Sequence, residues 1–152
     1  MSRQGCRQLI VAAATALVDR DDAVTLRAVS READVPTSAI YQQFPDVPAI
    51  LLATCHEAFR ELEAAVLAAP DAYAAGLAYL GFAVLHPRRY RVMFGAADLS
   101  EQALRLFTRV LSDADRALTF WLGLHGLADQ RASVRRSSHF AVVAPRLIAS
   151  LI

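Results

Sequence analysis

The sequence TLRAVSREADVPTSAIYQQF, from Thr25 to Phe44, has the pattern of two short helices joined by a tight turn. In its first half, Leu26, Val29 and Ala33 recur at the spacing of one helix face, which is typical of an amphipathic helix. Thr25 stands where its side-chain oxygen can accept a hydrogen bond from the first turn, as helix N-caps do. This half therefore predicts a helix that begins just after Thr25 and buries one side.

The second half of the stretch begins at a helix break. Residues 34–36 (DVP) end the first helix, because proline cannot continue a helix and disfavours helical geometry in the residue before it. Thr37 or Ser38 can cap the next helix. Its inner face carries Ile40 and Phe44, four residues apart. The outward positions hold only uncharged groups that form hydrogen bonds: Thr37, Ser38, Tyr41, Gln42 and Gln43. A short helix with this surface suits the major groove of DNA, and it suits equally an αα-hairpin used only for packing.

The chain has 152 residues, of which 55% are hydrophobic and 20% are charged. This length allows one sizeable core, or a small head domain with a helical body. An oligomer with a buried helical interface would explain the apolar excess. The longest uncharged apolar run, residues 72–85, is shorter than the roughly 20 residues that a membrane span needs, so none is predicted. Residues 1–8 lead into an amphipathic helix without a leader-peptide cleavage site, which favours a cytoplasmic protein.

The charge gives little support to nucleic-acid binding. The net charge is +1, and residues 1–48 hold five arginines against six acidic residues. Phosphate neutralisation usually supplies much of the affinity for DNA, so a head domain that is not basic weakens the DNA interpretation. A favourable distribution would compensate, with four arginines facing the duplex: Arg3, Arg7, Arg27 and Arg31.

Helical periodicity continues on both sides of the opening stretch. Before it, residues 3–19 predict a helix that packs against the pair. After it, Asp46 is a candidate N-cap and Pro48 falls in the first turn of a long helix that extends to about Ala69. Further helices are predicted at 73–86, at 99–111, from 113 or 115 to 127, and from 133 onward, with a kink or late restart at Pro145. The predicted fold class is all-α.

The residue types that carry catalysis or bind metals show no suitable spacing. The four histidines are far apart in sequence, and Cys6 and Cys55 lie in separate helices without metal-ligand spacing. The sequence contains no glycine-rich phosphate loop, no Gly-x-Ser-x-Gly motif and no paired carboxylates in an apolar setting. It therefore predicts no enzyme, no metal site and no cofactor. His86 and His125 are interpreted as pocket residues or as caps of helix ends.

Large adaptable side chains are spread over three predicted helices of the C-terminal part: Tyr79, Phe82, Tyr90, Met93, Phe94, Phe107 and Trp121. Ordinary core packing accounts for each of them taken singly. A helical bundle with many aromatic residues and few buried charges is also suited to a cavity for an apolar ligand. Without a charge or metal constellation, the pattern favours a hydrophobic ligand.

Four consecutive elements resemble the DNA-binding domain of the tetracycline-repressor (TetR) family of bacterial transcriptional regulators. They are IVAAATALV, TLRAVSREADV, SAIYQQF and PDVPAILL, between Leu9 and Leu52. Two later segments, HPRRYRVMFG from His86 and WLGLHGL from Trp121, resemble the His-Pro-x-x-Tyr-x-x-Met-Phe and Trp-x-x-x-His-Gly-Leu segments of one group of ligand-binding domains in that family. The two segments occur in the expected order, which strengthens the resemblance.

The resemblance implies a three-helix helix-turn-helix head at residues 1–47. A long helix would join it to an antiparallel helical body, at residues 48–152, for ligand binding and dimerisation. The implied function is that of a homodimeric repressor that binds a palindromic double-stranded DNA operator and is released by a small apolar effector. An alternative stays open, namely a helical dimer that binds an apolar ligand or a protein partner and has weak or lost DNA binding.

Three groups of site residues are carried over by motif. Base edges are expected to meet Thr37, Ala39 and Gln42, and phosphates to meet Ser38, Tyr41 and Gln43, with Thr25 and Arg27 helping from the preceding helix. The ligand pocket is expected to be lined by Phe82, His86, Tyr90, Met93, Phe94, Phe107, Trp121 and His125. The expected dimer interface comprises Leu118, Leu122, Phe140, Val143, Leu147 and Leu151.

Three positions depart from the family pattern. Asp34 replaces a glycine at the turn, Gln43 replaces a histidine, and Val47 replaces a lysine that usually opens the long helix. Asp34 adds negative charge where DNA would lie, and Val47 removes a phosphate partner, so a weak or specialised DNA binder is expected. The short connection between the two body segments and the apolar Ile152 at the end predict a reduced body.

Overall fold

The computed structural model describes residues 2–133 and 140–152, without the side chains of residues 131–133 and 140. Within these ranges the chain forms helices and no strand, which confirms the all-α prediction. The helices are α1 (Arg3–Asp19), α2 (Leu26–Ala33), α3 (Thr37–Tyr41), α4 (Val47–Leu67), α5 (Ala72–Leu85), α6 (Pro87–Phe94), α7 (Ser100–Leu111), α8 (Ala114–Ser133) and α9 (Phe140–Leu151). None of these described helices is long and apolar enough to cross a membrane.

The chain divides into two compact units, Met1–Ala58 and Phe59–Ile152. The dividing point lies inside α4, whereas the domain boundary predicted from the sequence precedes this helix. α4 begins directly after Asp46, whose Oδ1 accepts a hydrogen bond from the Ala49 N–H at 2.8 Å, and this confirms the predicted cap. The first part of α4 thus belongs to one unit and its end to the other.

The first unit is built on an apolar core that α1, α2 and α3 share with the beginning of α4. Its fully buried side chains include Ile10, Val29, Ile40 and Ile50, and Phe44 completes the core just after α3. Full burial of one such side chain contributes about 1.5–3 kcal/mol, which explains how helices of eight and five residues persist. α1 has the predicted bounds, because its apolar face is needed to cover the shorter helices.

Local capping sets the ends of the helix pair. Thr25 caps α2 as predicted, since its Oγ1 accepts a hydrogen bond from the Ala28 N–H at 3.2 Å. The N-cap of α3 is Pro36, without a side-chain hydrogen bond, so the prediction that Thr37 or Ser38 caps this helix is wrong. The helix starts earlier because the proline ring already holds the backbone angle that suits entry into a helix.

The turn between α2 and α3 contains a residue in the left-handed region. Asp34, at the C-cap of α2, has φ 52° and ψ 44°, a conformation that glycine adopts more easily. Aspartate tolerates it better than most residues do, which explains how the turn forms without glycine. The Ser30 hydroxyl donates to the Val35 carbonyl at 2.6 Å and so ties down the chain directly after the turn residue.

The second unit consists of the end of α4 and the helices α5 to α9. Asp71 caps α5, because its Oδ1 accepts a hydrogen bond from the Ala74 N–H at 2.8 Å. α8 packs against α5, α7 and α9. α5 and α8 approach most closely at Gly76, where a Cβ atom would lie 2.9 Å from Phe120 Cζ. Only glycine leaves enough room for this packing without a shift of the phenyl ring.

Several helix ends differ from the predictions. α4 ends at Leu67 rather than near Ala69, and α8 continues to Ser133, because solvent-facing turns carry no apolar periodicity that marks where they stop. The HPRRYRVMFG segment forms α6. α9 is continuous across Pro145, so the predicted late restart is wrong. The part of the last predicted helix at 134–139 lies outside the described residues.

Candidate functional site

The outward surface of α3 is polar and largely exposed. Four residues expected at DNA are exposed on it: Thr37, Ser38, Tyr41 and Gln42. Two more are half-buried: Ala39 and Gln43. Thr25 and Arg27, which precede α3, are also exposed. Tyr41 is 60% exposed, an unusual state for a large aromatic side chain in a well-packed unit. This surface is therefore available to a polar partner.

Arg7 of α1 makes two contacts that hold the end of α3. Its Nη1 donates to the Gln43 carbonyl oxygen at 3.1 Å, and its guanidinium carbon lies 4.1 Å from the centre of the Phe44 ring. Carbonyl groups at the end of a helix lack partners within the helix, and the face of an aromatic ring attracts a cation. Arg7 thus positions α3. Sequence reasoning missed this role because no local spacing rule connects α1 to the end of α3.

Ion pairing inside the first unit engages part of its positive charge. Arg20 donates to Asp22 at 3.0 Å and to both carboxylate oxygens of Glu32, the shorter bond being 2.7 Å. The hydrogen bond to Glu32 raises the pKa of Arg20, and the same bond lowers the pKa of Glu32. Arg27 and Arg31 remain exposed on α2. The positive charge available to an external partner is consequently small.

Four side chains of the second unit form a chain of hydrogen bonds, here named the aromatic relay: Trp121, Tyr79, Tyr90 and His125. The indole Nε1–H of Trp121 donates to the Tyr79 hydroxyl oxygen at 3.0 Å. The Tyr79 and Tyr90 hydroxyl oxygens lie 2.9 Å apart, and the Tyr90 oxygen lies 2.7 Å from Nδ1 of His125. The aromatic relay therefore connects α5, α6 and α8.

The proton positions in the aromatic relay follow from what each group can donate. An indole only donates, so the Tyr79 oxygen accepts from Trp121 and gives its own proton to Tyr90. Tyr90 then donates to Nδ1 of His125, which leaves the imidazole proton on Nε2. In this arrangement every hydroxyl both donates and accepts, in agreement with the absence of unpaired buried side-chain polar atoms among the described residues.

Burial sets the charge state of the aromatic relay. Tyr79 and Tyr90 are almost completely buried, and burial raises the pKa of both phenols well above the ordinary range. Desolvation of the half-buried His125 lowers the pKa of its imidazole, against an opposing effect of Asp129. The aromatic relay is therefore uncharged at neutral pH.

Aromatic rings pack tightly around the histidine end of the aromatic relay. The Phe94 ring centroid lies 4.8 Å from that of Tyr90 and 5.1 Å from that of His125. Trp121 stacks on His125 at 5.1 Å, with 25° between the ring planes. Such pairs contribute about 0.5–1.5 kcal/mol each beyond the area they bury. Phe94 and His125 are half-buried, so they form the outer edge of the ring cluster.

The residues predicted to line a pocket fall into two sets. Those that contact one another in the ring cluster are Tyr90, Phe94, Trp121 and His125. Phe107 reaches this cluster through Tyr79, with 5.4 Å between ring centroids. Phe82 and His86 pack on each other at 5.0 Å, and Met93 is completely buried. Ligand binding by these residues remains a prediction.

Tyr79, which is central to the aromatic relay, was not among the predicted pocket residues. Its place in the apolar run 72–85 made it resemble plain core. A usable signal was present, because Trp121 and His125 lie one helical turn apart and two tyrosines precede them in an otherwise apolar unit. Buried polar groups have to find partners, so this set could have been expected to pair.

Acidification is expected to break the His125 end of the aromatic relay, because a protonated imidazole carries a proton on Nδ1 and cannot accept from Tyr90. Desolvation holds the pKa of His125 below its ordinary value of 6.5, so the unfolded chain binds this proton more readily. The stability that depends on neutral His125 is complete above pH 6.5 and is lost as the pH falls through the lower folded-state pKa. Fluorescence of Trp121, the one tryptophan of the chain, reports the titration, since imidazolium quenches a stacked indole. A midpoint above 6.5, or one that persists in His125→Phe, would contradict the assignment.

Apolar side chains are exposed along α8 and α9, the helices expected to form the dimer interface. The exposed ones are Leu118, Leu122 and Val143, at 41%, 53% and 43%. Leu147 and Leu151 are half-buried because they pack over Gly123, where a Cβ atom would lie 2.6 Å from Leu151 Cδ1. The side chain of Phe140 lies outside the described residues.

The described part of the chain holds no group of three or more histidine, cysteine or acidic side chains that could bind a metal ion. Cys6 and Cys55 are buried and free, and burial raises the pKa of the Cys55 thiol to about 11. A thiol with so high a pKa is almost entirely protonated at neutral pH and is a poor nucleophile.

Residues 72–145 match a family model described as tetracyclin repressor-like, C-terminal domain. Among solved structures, the crystal structure of the multidrug binding protein EbrR complexed with imidazole is similar with a TM-score of 0.74 and 20% identity, over 96% of this chain and 89% of that one. A protein with unknown function from Rhodococcus sp. RHA1 gives a TM-score of 0.67 and 23% identity, over 95% of this chain and 90% of that one. Identities this low establish the shared fold alone. No curated protein matches the sequence.

A helix-turn-helix unit followed by a helical bundle with an aromatic interior defines an all-α protein of the regulator type. With the family match in its second unit and the shared fold over nearly the whole chain, the protein belongs to the TetR family. The comparisons indicate no enzyme family.

Proposed function

We propose that this chain is a homodimeric transcriptional repressor of the cytoplasm, which binds a palindromic operator in double-stranded DNA and is released by a small apolar effector. The observation that carries the proposal is the exposed polar surface of α3, held from behind by Ile40 and Phe44 at 1% and 3% exposure. A hairpin used for packing would bury this surface, whereas a helix that reads DNA needs it free. Membership of the TetR family supports a ligand-responsive regulator as the general class.

The exposed side chains of α3 suit two kinds of contact with DNA. Gln42 can bind one adenine through two hydrogen bonds, and Thr37 and Ala39 would accompany it at the base edges. Ser38 and Tyr41 would donate to phosphate oxygens, which fixes the position of the helix without reading sequence. Base contacts and phosphate contacts have different consequences when they are removed, so the two roles can be separated by experiment.

Two alanine variants are expected to separate these roles. Tyr41→Ala should weaken binding to all DNA sequences by about 0.5–1.5 kcal/mol, because it removes a sequence-independent hydrogen bond. Gln42→Ala should instead relax the preference at one base pair, which a two-bond contact discriminates by about 1–3 kcal/mol. Fluorescence anisotropy with the operator and its single-base-pair variants measures both, and Gln8→Ala, an exposed glutamine of α1, is the control. Equal affinities and equal base preferences in all four proteins would reject the assignment.

A palindromic operator requires two heads related by a two-fold axis, and the apolar surface of α8 and α9 offers a way to pair them. Leu118 and Leu122 lie one helical turn apart on α8, and Val143 is exposed on α9. Neighbouring large apolar side chains that face solvent in a single chain are a frequent mark of a protein interface.

Leu122→Glu is expected to convert the dimer into a monomer. Each buried leucine contributes about 1.5–3 kcal/mol, the two-fold axis doubles the loss, and the new carboxylate would have no partner in an apolar interface. Analytical ultracentrifugation at micromolar concentration measures the mass. Leu85→Glu is the control, because Leu85 is even more exposed, at 75%, and lies on α5. A monomeric wild-type protein, or a dimer that survives in Leu122→Glu, would contradict the proposed interface.

An effector site in the second unit is supported by the ring cluster around the aromatic relay. The rings are uncharged, they come from three helices, and two of them, Phe94 and His125, reach the edge of the cluster. Aromatic and apolar surface with a few placed polar groups is the usual composition of a small-molecule site. A protein of the same fold is described as multidrug binding, which agrees with an apolar effector.

The alternative function is a helical dimer that binds an apolar ligand or a protein partner and has weak or lost DNA binding. Electrostatics favour it, because Arg7 and Arg20 are engaged inside the first unit and Asp34 is exposed in the turn that precedes α3. Val47, at the start of α4, supplies no charge for a phosphate. Low affinity for DNA at low salt is the property that would distinguish this function from the first.

A further inference from the structure

The aromatic relay presents one hydrogen-bond donor that no part of the described protein uses. Because the indole of Trp121 can only donate, the proton order along the relay ends with the imidazole proton on Nε2 of His125. No described residue is hydrogen-bonded to this Nε2. His125 is only half-buried, and the fully buried polar side-chain atoms of the described residues all have partners, so this nitrogen opens toward the outside of the cluster.

The donor is rigid and surrounded by apolar surface. His125 is held by Tyr90 at Nδ1, stacked on Trp121 and in edge contact with Phe94, so its ring plane is determined from three sides. The exposed part of the Phe94 ring lies beside it. A single fixed donor at the edge of aromatic surface recognises an acceptor atom on a flat apolar molecule, because the acceptor binds the N–H while the flat body covers the rings.

We propose that the effector of this protein is a planar apolar molecule with a neutral hydrogen-bond acceptor, such as a ketone oxygen, which accepts the Nε2–H of His125. The inference rests on the proposed ligand-responsive function and specifies the chemistry of its ligand. It differs from a purely hydrophobic effector in one testable respect, since the acceptor atom contributes to affinity. A ligand that carries only donors leaves the Nε2–H without a partner and binds less well.

Acetophenone and α-methylstyrene are a suitable pair of probes, because they share a flat shape and differ in a C=O against a C=CH₂ group. α-Methylstyrene is the more hydrophobic of the two, so the informative quantity is the change in each affinity when His125 is altered. His125→Phe keeps a ring against Trp121 and removes both nitrogens. It is expected to weaken acetophenone about five- to tenfold, as for the loss of one hydrogen bond, and to leave α-methylstyrene within about twofold.

Dissociation constants from ligand-observed NMR give these ratios, and His56→Phe, at an exposed histidine of α4, is the control. His125→Gln restores an N–H near the position of Nε2 and should recover part of the acetophenone affinity. Benzamidinium, a flat cation with donors only, should bind wild type more weakly than acetophenone does.

A measurement on the wild-type protein keeps the proposal testable if the variants fail to fold. Histidine ¹⁵N NMR is expected to show His125 protonated at Nε2 and not at Nδ1, with a shift of the Nε2 signal on addition of acetophenone and none with α-methylstyrene. Equal responses to the two probes, an equal loss of both in His125→Phe, no binding of either probe, or preferential binding of benzamidinium would overturn the proposal. DNA binding measured on the same samples is independent of these results, so it shows separately whether the proposed regulator function fails.

Discussion

Replacing Phe44 by alanine is expected to unfold α3 and to abolish the DNA binding proposed for the first unit. Phe44 is 3% exposed, and truncation of a buried phenylalanine costs about 3–5 kcal/mol. The change also removes the ring 4.1 Å from the guanidinium of Arg7, a contact worth about 0.5–1 kcal/mol at an exposed site. α3 has five residues, so it has no stability of its own with which to offset these losses.

Amide hydrogen exchange followed by mass spectrometry measures this effect locally. Peptides from residues 26–44 should lose most of their protection in Phe44→Ala, while those from 100–128 in the second unit should keep theirs. Leu9→Ala is the matched control, because Leu9 is an apolar residue of α1 that is 44% exposed, and its change should be within about 0.5 kcal/mol of zero. Wild-type protection of α3 in Phe44→Ala would show that the phenyl ring is not its anchor.

Tyr79→Phe is expected to destabilise the second unit by about 2–4 kcal/mol, although it removes a single oxygen atom. That oxygen accepts from Trp121 and donates to Tyr90, so the variant leaves a buried N–H and a buried hydroxyl without their partners. Tyr79 is completely buried, so water cannot replace the missing oxygen without opening the packing.

Urea unfolding followed by the fluorescence of Trp121 measures the stability of the second unit directly, because this tryptophan belongs to it. Tyr73→Phe removes the same atom from a half-buried tyrosine of α5 outside the aromatic relay, and should change the unfolding free energy by less than about 0.5 kcal/mol. Equal shifts of the two variants would mean that the hydrogen bonds of the aromatic relay contribute no more than an ordinary hydroxyl does.

The helix pair of the first unit was predictable because the interactions that form it are local. Thr25 and Asp46 bond to backbone groups three positions away, and the apolar spacing of α2 is complete within a few turns. The cap of α3 was predicted wrongly for a related reason. Pro36 and the threonine after it both suit the start of a helix, and only the backbone conformation decides between them.

The contacts that give the candidate sites their chemistry join distant parts of the chain. Arg7 bonds to a carbonyl 36 positions away, and the aromatic relay spans separations of 35 and 42 positions. Composition and spacing identified most of the aromatic residues that meet. The order of their hydrogen bonds depends on how α5, α6 and α8 pack, and this no sequence pattern expresses.

The DNA-reading role of α3 is tested most directly by titrating labelled DNA from the upstream region of the gene with the full chain, at about 50 mM and about 200 mM salt. Binding is expected at the lower salt, with an affinity that falls about ten- to a hundredfold at the higher one, because few arginines are free to meet phosphates. Phe44→Ala should bind at neither. A folded, dimeric wild-type protein that fails to bind at about 50 mM salt would contradict the role of α3 and would favour the alternative, a ligand-binding or partner-binding dimer.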